Sequence, residues 1–341
     1  MDPVTALKRV AYLLERERAE ARRATAFRTA ARRLEELAPG ELAQRLPAGT
    51  PTALPGVGPR TAGVAMAAAG GEVPDYLADL EARADAPLAT GGEEVRGWLR
   101  GDLHSHSEWS DGGTPIIDMA GAAIELGHDY LALTDHSPRL TVARGLSAER
   151  LREQLDVVAE LNAELAPFRI LTGIEVDILD NGDLDQEPEL LARLDVVVAS
   201  VHSKLRMDRS AMTRRMVAAV QHPFVDVLGH CTGRLITGGR GTRPESQFDA
   251  EAVFEACRAN DVAVEINSRP ERRDPPTRLL QLAVETGCRF AVNTDAHAPG
   301  QLEFLDYGCA RAQEAGIARE RIVNALPMDE LLAWTGRSLP S

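Results

Sequence analysis

The chain is poor in aromatic residues, with three Trp, four Tyr and seven Phe among 341 residues. Its core must therefore be filled by Leu, Val, Ile and Ala, and a hydrophobic content of 44% is enough for that. Cysteine is also scarce. Cys231, Cys257, Cys288 and Cys309 are scattered, with no C-x-x-C pair. That argues against a disulfide framework and suits a reducing cytosol. No apolar run approaches the roughly 18 residues of a membrane span, and the charged N-terminus reads as helix rather than signal peptide. The expected location is the cytoplasm, with no membrane partner.

Positive charge is in deficit: 38 Lys and Arg against 52 Asp and Glu leave a net charge of −14. The deficit is local. Residues 1–100 carry 14 side chains of each sign, so the whole excess of negative charge falls in 101–341. Residues 1–69 hold 11 basic against 7 acidic side chains, a net +4. An acidic body repels nucleic acid unless metal ions offset it locally, whereas a mildly basic N-terminal part can hold it.

The length allows one large domain, or a large and a small one. Residues 3–46 read as helices, since the apolar residues of "AFRTAARRLEEL" recur at helical spacing. A Pro/Gly-rich turn follows in "LPAGTPTALPGVGPR", and then a short Ala-rich helix. The stretch around "APLATGG" reads as a linker. Beyond it the pattern changes to seven short apolar runs: "GDLHSHS", "DYLALTDHS", "FRILTGIEVDI", "LDVVVASVHS", "VDVLGHC", "VAVEINS" and "CRFAVNTDAH". Helical stretches separate them, for example 147–166, 209–221 and 248–260. This alternation predicts an α/β fold with a parallel sheet, open or closed into a barrel.

Six of the eight histidines fall at the ends of these predicted strands. His104 and His106 close the first, His136 the second, His202 the fourth and His230 the fifth. Glu175 lies in the third, and Asp295 and His297 end the last. The C-terminal strand ends are the face on which α/β barrels assemble active sites. With Asp111 the set reaches nine imidazoles and carboxylates without a thiolate, a donor set suited to Zn, Mn or Fe. Nine ligands exceed the three or four that one zinc takes. Two or three divalent metals sharing Glu175 would use them all, and such a cluster generates hydroxide at neutral pH and clamps a phosphoryl oxygen. His128 and His222 fall outside the pattern and read as structural. Cys231 is expected to face away from its neighbour His230.

These motifs carry a resemblance. "DLHSHSEWSDG", "LTDHS", "SVHS" with "LGHCTGR", and "NTDAH" occur in order, with Glu175 in "GIEVDI". The stretch 101–325 resembles a PHP (polymerase and histidinol phosphatase) domain, closest to that of bacterial family X DNA polymerases, which tend to place Asp where Asp111 stands. The resemblance implies a distorted (β/α)7 barrel with a trinuclear site. One metal would be held by His104, His106, Glu175 and Asp295, a second by Glu175, His202 and His230, and a third by Asp111, His136 and His297. It also implies that His104, His106, Glu175, Asp295 and His297 serve catalysis directly.

Residues 1–85 resemble, more weakly, the small all-α N-terminal domain of the same polymerases, with "LPGVGPRTAGVAMAAAGG" as a helix-hairpin-helix. Gly56 and Gly58 would let the backbone turn so that amides at the next helix start face a phosphate, with Arg60 beside them. The expected plan is a DNA-binding domain at 1–85, a linker at 86–98 and the phosphoesterase at 99–341. No polymerase palm fits between residues 85 and 100, so no DNA synthesis is expected. Lys204, Arg206, Arg234 and Arg269 are candidates for substrate phosphate, with Arg206 and Arg234 preferred for their closeness to ligand-bearing strands.

The expected activity is hydrolysis of phosphate esters at nucleic-acid ends, as a 3′–5′ exonuclease or 3′-phosphatase. The rivals are a small-molecule phosphatase of the histidinol-phosphate type and a non-catalytic DNA-binding adaptor with a decayed metal site. The complete ligand set argues against decay. One absence makes a prediction. Domains resembling 1–85 often carry a Schiff-base lysine six residues after the hairpin's second glycine. Here that residue is Val64, and "RTAGVAMAAA" has no lysine. A lyase that removes 5′-deoxyribose phosphate needs an amine nucleophile, so borohydride should trap no adduct of this domain on an abasic substrate.

Overall fold

A computed structural model describes residues 1–46, 49, 51–238 and 241–336. Two compact units emerge. One comprises residues 1–87 together with 298–301, and the other 88–297 with 302 onward.

The first unit is helical: α1 (Pro3–Arg16), α2 (Ala21–Glu35), α3 (Pro39–Arg45), α4 (Pro59–Ala69) and α5 (Asp75–Ala84). Asp2 caps α1 by accepting the Thr5 amide at 2.8 Å, and Pro3 occupies the first turn, where its missing N–H costs nothing. Leu7, Val10, Ala11 and Leu14 recur at helical spacing and are fully buried against α2 and α4. Between α3 and α4 the two expected turn glycines differ. Gly56 has φ +87°, and a Cβ there would lie 2.7 Å from Thr29 Cγ2. Gly58 caps α4 at φ −89°, with open space around it, so nothing there demands glycine. Its amide donates to Thr61 Oγ1 at 3.0 Å, a cap formed within the chain.

The second unit holds seven parallel strands in sequential order: β1 (Gly101–Ser105), β2 (Tyr130–Leu133), β3 (Arg169–Asp177), β4 (Val196–Ser200), β5 (Val227–Leu228), β6 (Ala263–Asn267) and β7 (Phe290–Asn293). Helices α6 (Glu93–Arg96), α7 (Ile116–Glu125), α8 (Ala148–Leu165), α9 (Pro188–Leu191), α10 (Arg209–Val220), α11 (Ala250–Ala259), α12 (Thr277–Thr286), α13 (Leu305–Glu314) and α14 (Met328–Trp334) complete it. The architecture is the expected (β/α)7 barrel. Residues 88–98 are not a free tether. They belong to the barrel unit: Val95 is buried, and Gly92 approaches α13 so closely that a Cβ would lie 2.4 Å from the Ala310 nitrogen.

Strand alternation sorts the side chains into two rows. Ile174, Val176, Val197, Leu228, Val264, Ile266 and Val292 face the surrounding helices. Leu103, Leu171, Val196, Val198, Val227, Ala263 and Ala291 fill the interior, joined by Val323, Leu331 and Leu332 from the C-terminal segment. Continued along the strands, the inner row passes from Leu171 to Glu175, from Ala263 to Glu265 and from Ala291 to Asn293. The interior is thus apolar at one end and ionic at the other.

No hydrogen-bonded ladder joins β7 to β1 among the described residues. Side chains and single bonds close the seam instead. Asn324 donates to the carbonyls of Gly101 (3.0 Å) and Val292 (2.6 Å) and accepts the Val292 amide at 3.1 Å. Asn293 accepts the Leu103 amide at 3.2 Å, buried Asp102 accepts the Thr294 amide at 3.1 Å, and Ala296 O accepts the His106 amide at 2.8 Å. Burial pushes the Asp102 carboxyl up to about 6, against the hydroxyl of Thr294 and the amide of His104, which favour its anion. An orphaned buried group costs about 1–3 kcal/mol. Asn324→Ala, which orphans three, should lower stability by about 2–4 kcal/mol as read from urea denaturation. An unchanged midpoint would show that the seam does not need this bridge.

Candidate metal centre

The ionic end of the barrel gathers all nine residues singled out in the sequence. Glu175 lies at the middle, fully buried. Its Oε2 is 3.3 Å from His104 Nε2, 3.5 Å from His106 Nε2 and 2.9 Å from His136 Nδ1. Its Oε1 is 3.1 Å from His202 Nε2 and 2.8 Å from His230 Nε2. Asp295 Oδ1 is 3.4 Å from His106 Nε2. Asp111 Oδ1 lies 3.4 Å from His136 Nε2 and 3.3 Å from His297 Nε2. Three donor groups are compact enough to hold an ion: His106, Asp111, His136 and His297; His104, His106 and Glu175; and His136, Glu175 and His202. His106, His136 and Glu175 each belong to two of them.

These atoms fit metal ions better than they fit one another. Both oxygens of Glu175 and the Nε2 atoms of His104, His106, His202 and His230 are buried without a hydrogen-bond partner. Buried polar atoms are almost always paired, so unpaired donors converging on one carboxylate suit cations better than they suit one another. Imidazoles and carboxylates at this spacing are donors that Zn, Mn or Fe accept.

Proton affinities follow from the crowding. Burial and the neighbouring His297 and His136 push His106 down to about 3, leaving it neutral. Burial also lowers His230, with help from Arg272. Burial opposes charge on His136 too, but Glu175 and Asp111 outweigh it and carry the ring up to about 10. At His104 burial is likewise overcome, by Glu265 and Glu175. Glu175 itself is held well below the carboxylate range, because four imidazoles outweigh its desolvation.

The route by which some side chains reach the centre differs from simple strand alternation. β1 ends at Ser105 and β7 at Asn293, so His106, Asp295 and His297 lie beyond their strands. Asp295 takes a left-handed φ of +55°, uncommon for a residue with a Cβ, and this turn aims the Asp295 and His297 pair.

Several supporting residues escaped sequence reasoning. Glu265 on β6 accepts from His104 Nδ1 at 2.6 Å, and its other oxygen accepts the His230 amide at 2.7 Å. A carboxylate on one ring nitrogen sets the tautomer and frees the other for a metal. The signal was present as one acidic residue inside the apolar run "VAVEIN". Asp135 ties down the loop that carries Asp111. It accepts from the Ser107 amide (2.9 Å), the Ser107 hydroxyl (2.7 Å), Gln154 Nε2 (2.7 Å) and the Ser110 hydroxyl. Arg272 Nε donates to Asp295 Oδ2 at 3.1 Å, while its buried Nη1 has no hydrogen-bond partner.

The cations proposed for substrate separate. Arg269 is at the centre, 2.8 Å from His297 Nδ1 and 2.9 Å from the Asp295 carbonyl. Arg234 is occupied elsewhere: its guanidinium donates to the carbonyls of Arg272 (2.9 Å) and Arg273 and lies 3.6 Å from Glu245. Lys204 pairs with Asp180 at the surface, and Arg206 is exposed. Arg60 stacks over the Tyr76 ring at 5.5 Å in the helical unit. His128 is buried 3.3 Å from Arg96, apart from the cluster, and burial lowers it to about 3. Cys231 is buried beside Asp274. All four cysteines are free.

Glu265 supplies a test. Removing a carboxylate behind a metal-binding imidazole typically costs 10–100-fold in affinity. Glu265→Gln should keep the fold and weaken metal binding by about that factor in chelator competition. Wild-type affinity would mean that His104 needs no such partner.

Parts of the chain are similar to known proteins. The sequence model of the PHP domain matches residues 102–269. DNA polymerase/3′-5′ exonuclease PolX of Bacillus subtilis is 39% identical over 242 residues, 71% of this chain and 42% of that protein. The chain therefore spans less than half the length of that relative. A probable phosphatase of Thermoanaerobacter sp. is 27% identical over 238 residues, covering 65% of this chain and 89% of its own length. A solved structure of histidinol phosphate phosphatase from Lactococcus lactis, complexed with Zn, L-histidinol and phosphate, is 21% identical, with a TM-score of 0.49 over 64% of this chain and 95% of that one. Residues 102–269 are accordingly a PHP domain, similar to that of a family X polymerase.

Proposed function

We propose that this chain is a metal-dependent phosphoester hydrolase that acts on nucleic-acid ends, as a 3′–5′ exonuclease or 3′-phosphatase. The observation that carries the proposal is the 39% identity, over 71% of the chain, to a protein named as a polymerase and 3′-5′ exonuclease. The helical unit supports it. Residues 1–69 are net positive, and a tight turn at Gly56 precedes α4 with Arg60 in its first turn. We assign this segment the helix-hairpin-helix role of gripping a phosphate backbone. The amide of Gly58 is taken by Thr61, so contact would fall to Arg60 and neighbouring backbone.

At the barrel the nine residues would hold two or three divalent ions. Bound there, such ions supply hydroxide at neutral pH and neutralise charge on a phosphoryl group. The chain's own contribution is placement. Glu265 fixes the His104 ring. Asn267 and Arg272 hold one oxygen of Asp295, at 3.2 and 3.1 Å, and leave the other facing His106. Arg269 sits against His297 and can offer a second N–H face to a substrate oxygen. Arg206, exposed just after His202, is the better candidate for a more distant phosphate, since Arg234 is bound to backbone carbonyls. No protein nucleophile is required.

A second reading has its own support: the probable phosphatase relatives match this chain over most of their length, 89% in the Thermoanaerobacter protein. Such an enzyme would hydrolyse a small phosphate monoester, and the helical unit would have no substrate role. A substrate panel separates the two. Metal-loaded full-length protein should release nucleotides or 3′-phosphate from single-stranded DNA with a kcat/KM at least about tenfold above that for histidinol phosphate or an aryl phosphate, equal to about 1.4 kcal/mol of discrimination. DNA turnover should fall as salt rises, with a shallow slope suited to few phosphate contacts. A preference for histidinol phosphate would reverse the assignment.

A further inference from the structure

Of the nine clustered side chains, Asp111 and His297 are the most open, 33% and 20% exposed, against 12% or less for the others. The centre therefore meets solvent on their side. The loop 138–145 borders that opening. It follows His136 directly, and Arg144 Nη1 donates at 3.4 Å to the carbonyl of Glu108, in the loop that carries Asp111. Arg150, in the first turn of α8, donates to the Trp109 carbonyl of the same loop.

At the tip of loop 138–145 stands Val142, 91% exposed. The next most exposed large apolar side chain among the described residues is Val73, at 57%. The loop that holds Val142 out is firmly built. Thr141–Ala143 form one tight turn with Ala143 buried beneath, and the Leu146 amide donates to the His136 carbonyl at 2.7 Å, which joins the loop's ends. Gly145 is pressed onto Ser137, where a Cβ would lie 1.8 Å from the carbonyl oxygen. The Arg139 amide and the Ser137 hydroxyl both donate to Asp185 Oδ2, at 2.6 and 3.0 Å. Arg150 Nη1 donates to the Arg144 carbonyl at 2.6 Å. A loop fixed in this way loses little freedom when it binds a ligand.

Exposed Arg139 and Arg144 flank the tip. Arg139 lies in the field of Asp180, which also pairs with Lys204. Arg144 donates to a neutral carbonyl and keeps its charge for a phosphate. A ligand suited to an apolar tip beside a cation must be apolar and anionic by turns. A nucleic-acid strand is so built, with a flat base and a phosphate at every step. A small phosphate monoester has one phosphate, and the ions would take it. We infer that loop 138–145 is a strand clamp within the barrel unit, with Val142 a wedge against the face of a base near the strand's end and Arg144 the partner of an adjoining phosphate. The inference rests on the action on nucleic-acid ends proposed above, and it gives that action a contact outside the helical unit.

The test compares metal-loaded full-length chains: wild type, Val142→Ser, Val142→Leu, Arg144→Gln and Ile124→Ser. A side chain as exposed as Val142 can be replaced without disturbing the core. Ile124, 41% exposed on α7, controls for the loss of any surface apolar group. The binding probe is single-stranded DNA with phosphorothioate linkages at its 3′ end, which slow hydrolysis, and 2-aminopurine as the penultimate base, which brightens when it is lifted off its neighbours. Wild type should brighten the probe, and Val142→Ser should lose most of the rise. Val142→Ser should also lower the ratio of kcat/KM on unmodified single-stranded DNA to that on an aryl phosphate by about fivefold or more, chiefly through KM for DNA. Val142→Leu should keep both properties. Arg144→Gln should flatten the slope of log Kd against log salt by about 0.7, the share of one phosphate contact on a single strand. A wild-type rise and selectivity in Val142→Ser, an unchanged salt slope in Arg144→Gln, or the same losses in Ile124→Ser would overturn the inference alone. A wild type that neither binds nor cleaves the strand would overturn the proposed function beneath it as well.

Discussion

The carboxylate of Glu175 is the constraint on which the rest of the molecule depends. It is buried in the barrel with five imidazoles around its two oxygens, and neither oxygen finds a hydrogen-bond partner. A buried charge in that state costs several kcal/mol unless cations compensate. Rings that meet it through Nε2 or Nδ1 therefore make chemical sense as one shared ligand shell. The strands bring it about. Glu175 belongs to the inner row of β3, above Leu171, so the alternation that packs the apolar floor also lifts this carboxylate to the centre of the ionic end.

The seam between β7 and β1 is the second consequence. Four of the nine residues, His104, His106, Asp295 and His297, sit on either side of it. A regular ladder there would have continued the strand geometry and its alternation. Side-chain bonds from Asn324, Asn293 and Asp102 close the gap while leaving the backbone beyond Ser105 and Asn293 free to turn. The left-handed Asp295 lies in that freed stretch, where Asn267 and Arg272 hold its carboxylate. Irregularity in the closure and precision in the site thus have one origin.

Arginine plays two parts in this chain. Arg269 and Arg272 lie against the Asp295 carboxylate, 3.8 and 3.1 Å from its two oxygens. Arg234 and Arg215 are structural. Arg234 spans carbonyls of the segment that carries Arg272, and Arg215, fully buried, donates to the carbonyls of Ile178, Leu179 and Ser203 in the loops after β3 and β4. Nearness in sequence to the histidine and carboxylate cluster did not distinguish these roles. Direction of the guanidinium did.

The sequence by itself determined the class of fold and the composition of the site. Seven apolar runs with helices between them specify parallel strands, and histidines and carboxylates recurring at the strand ends specify one ionic face. Both follow from local periodicity and from the fixed direction of parallel strands. Tertiary structure alone decided the rest. That Glu265 stands behind His104, that Asp135 anchors the Asp111 loop and that Arg272 grips Asp295 depends on contacts between strands far apart in sequence, and a single Glu in an apolar run does not say what it faces. The membership of 298–301 in the helical unit is likewise invisible in a linear reading, because close approach of Gly300 to α1 is a relation between residues 285 positions apart. The donor types and their spacing are written in the sequence; the orientation of each donor is set by long-range packing.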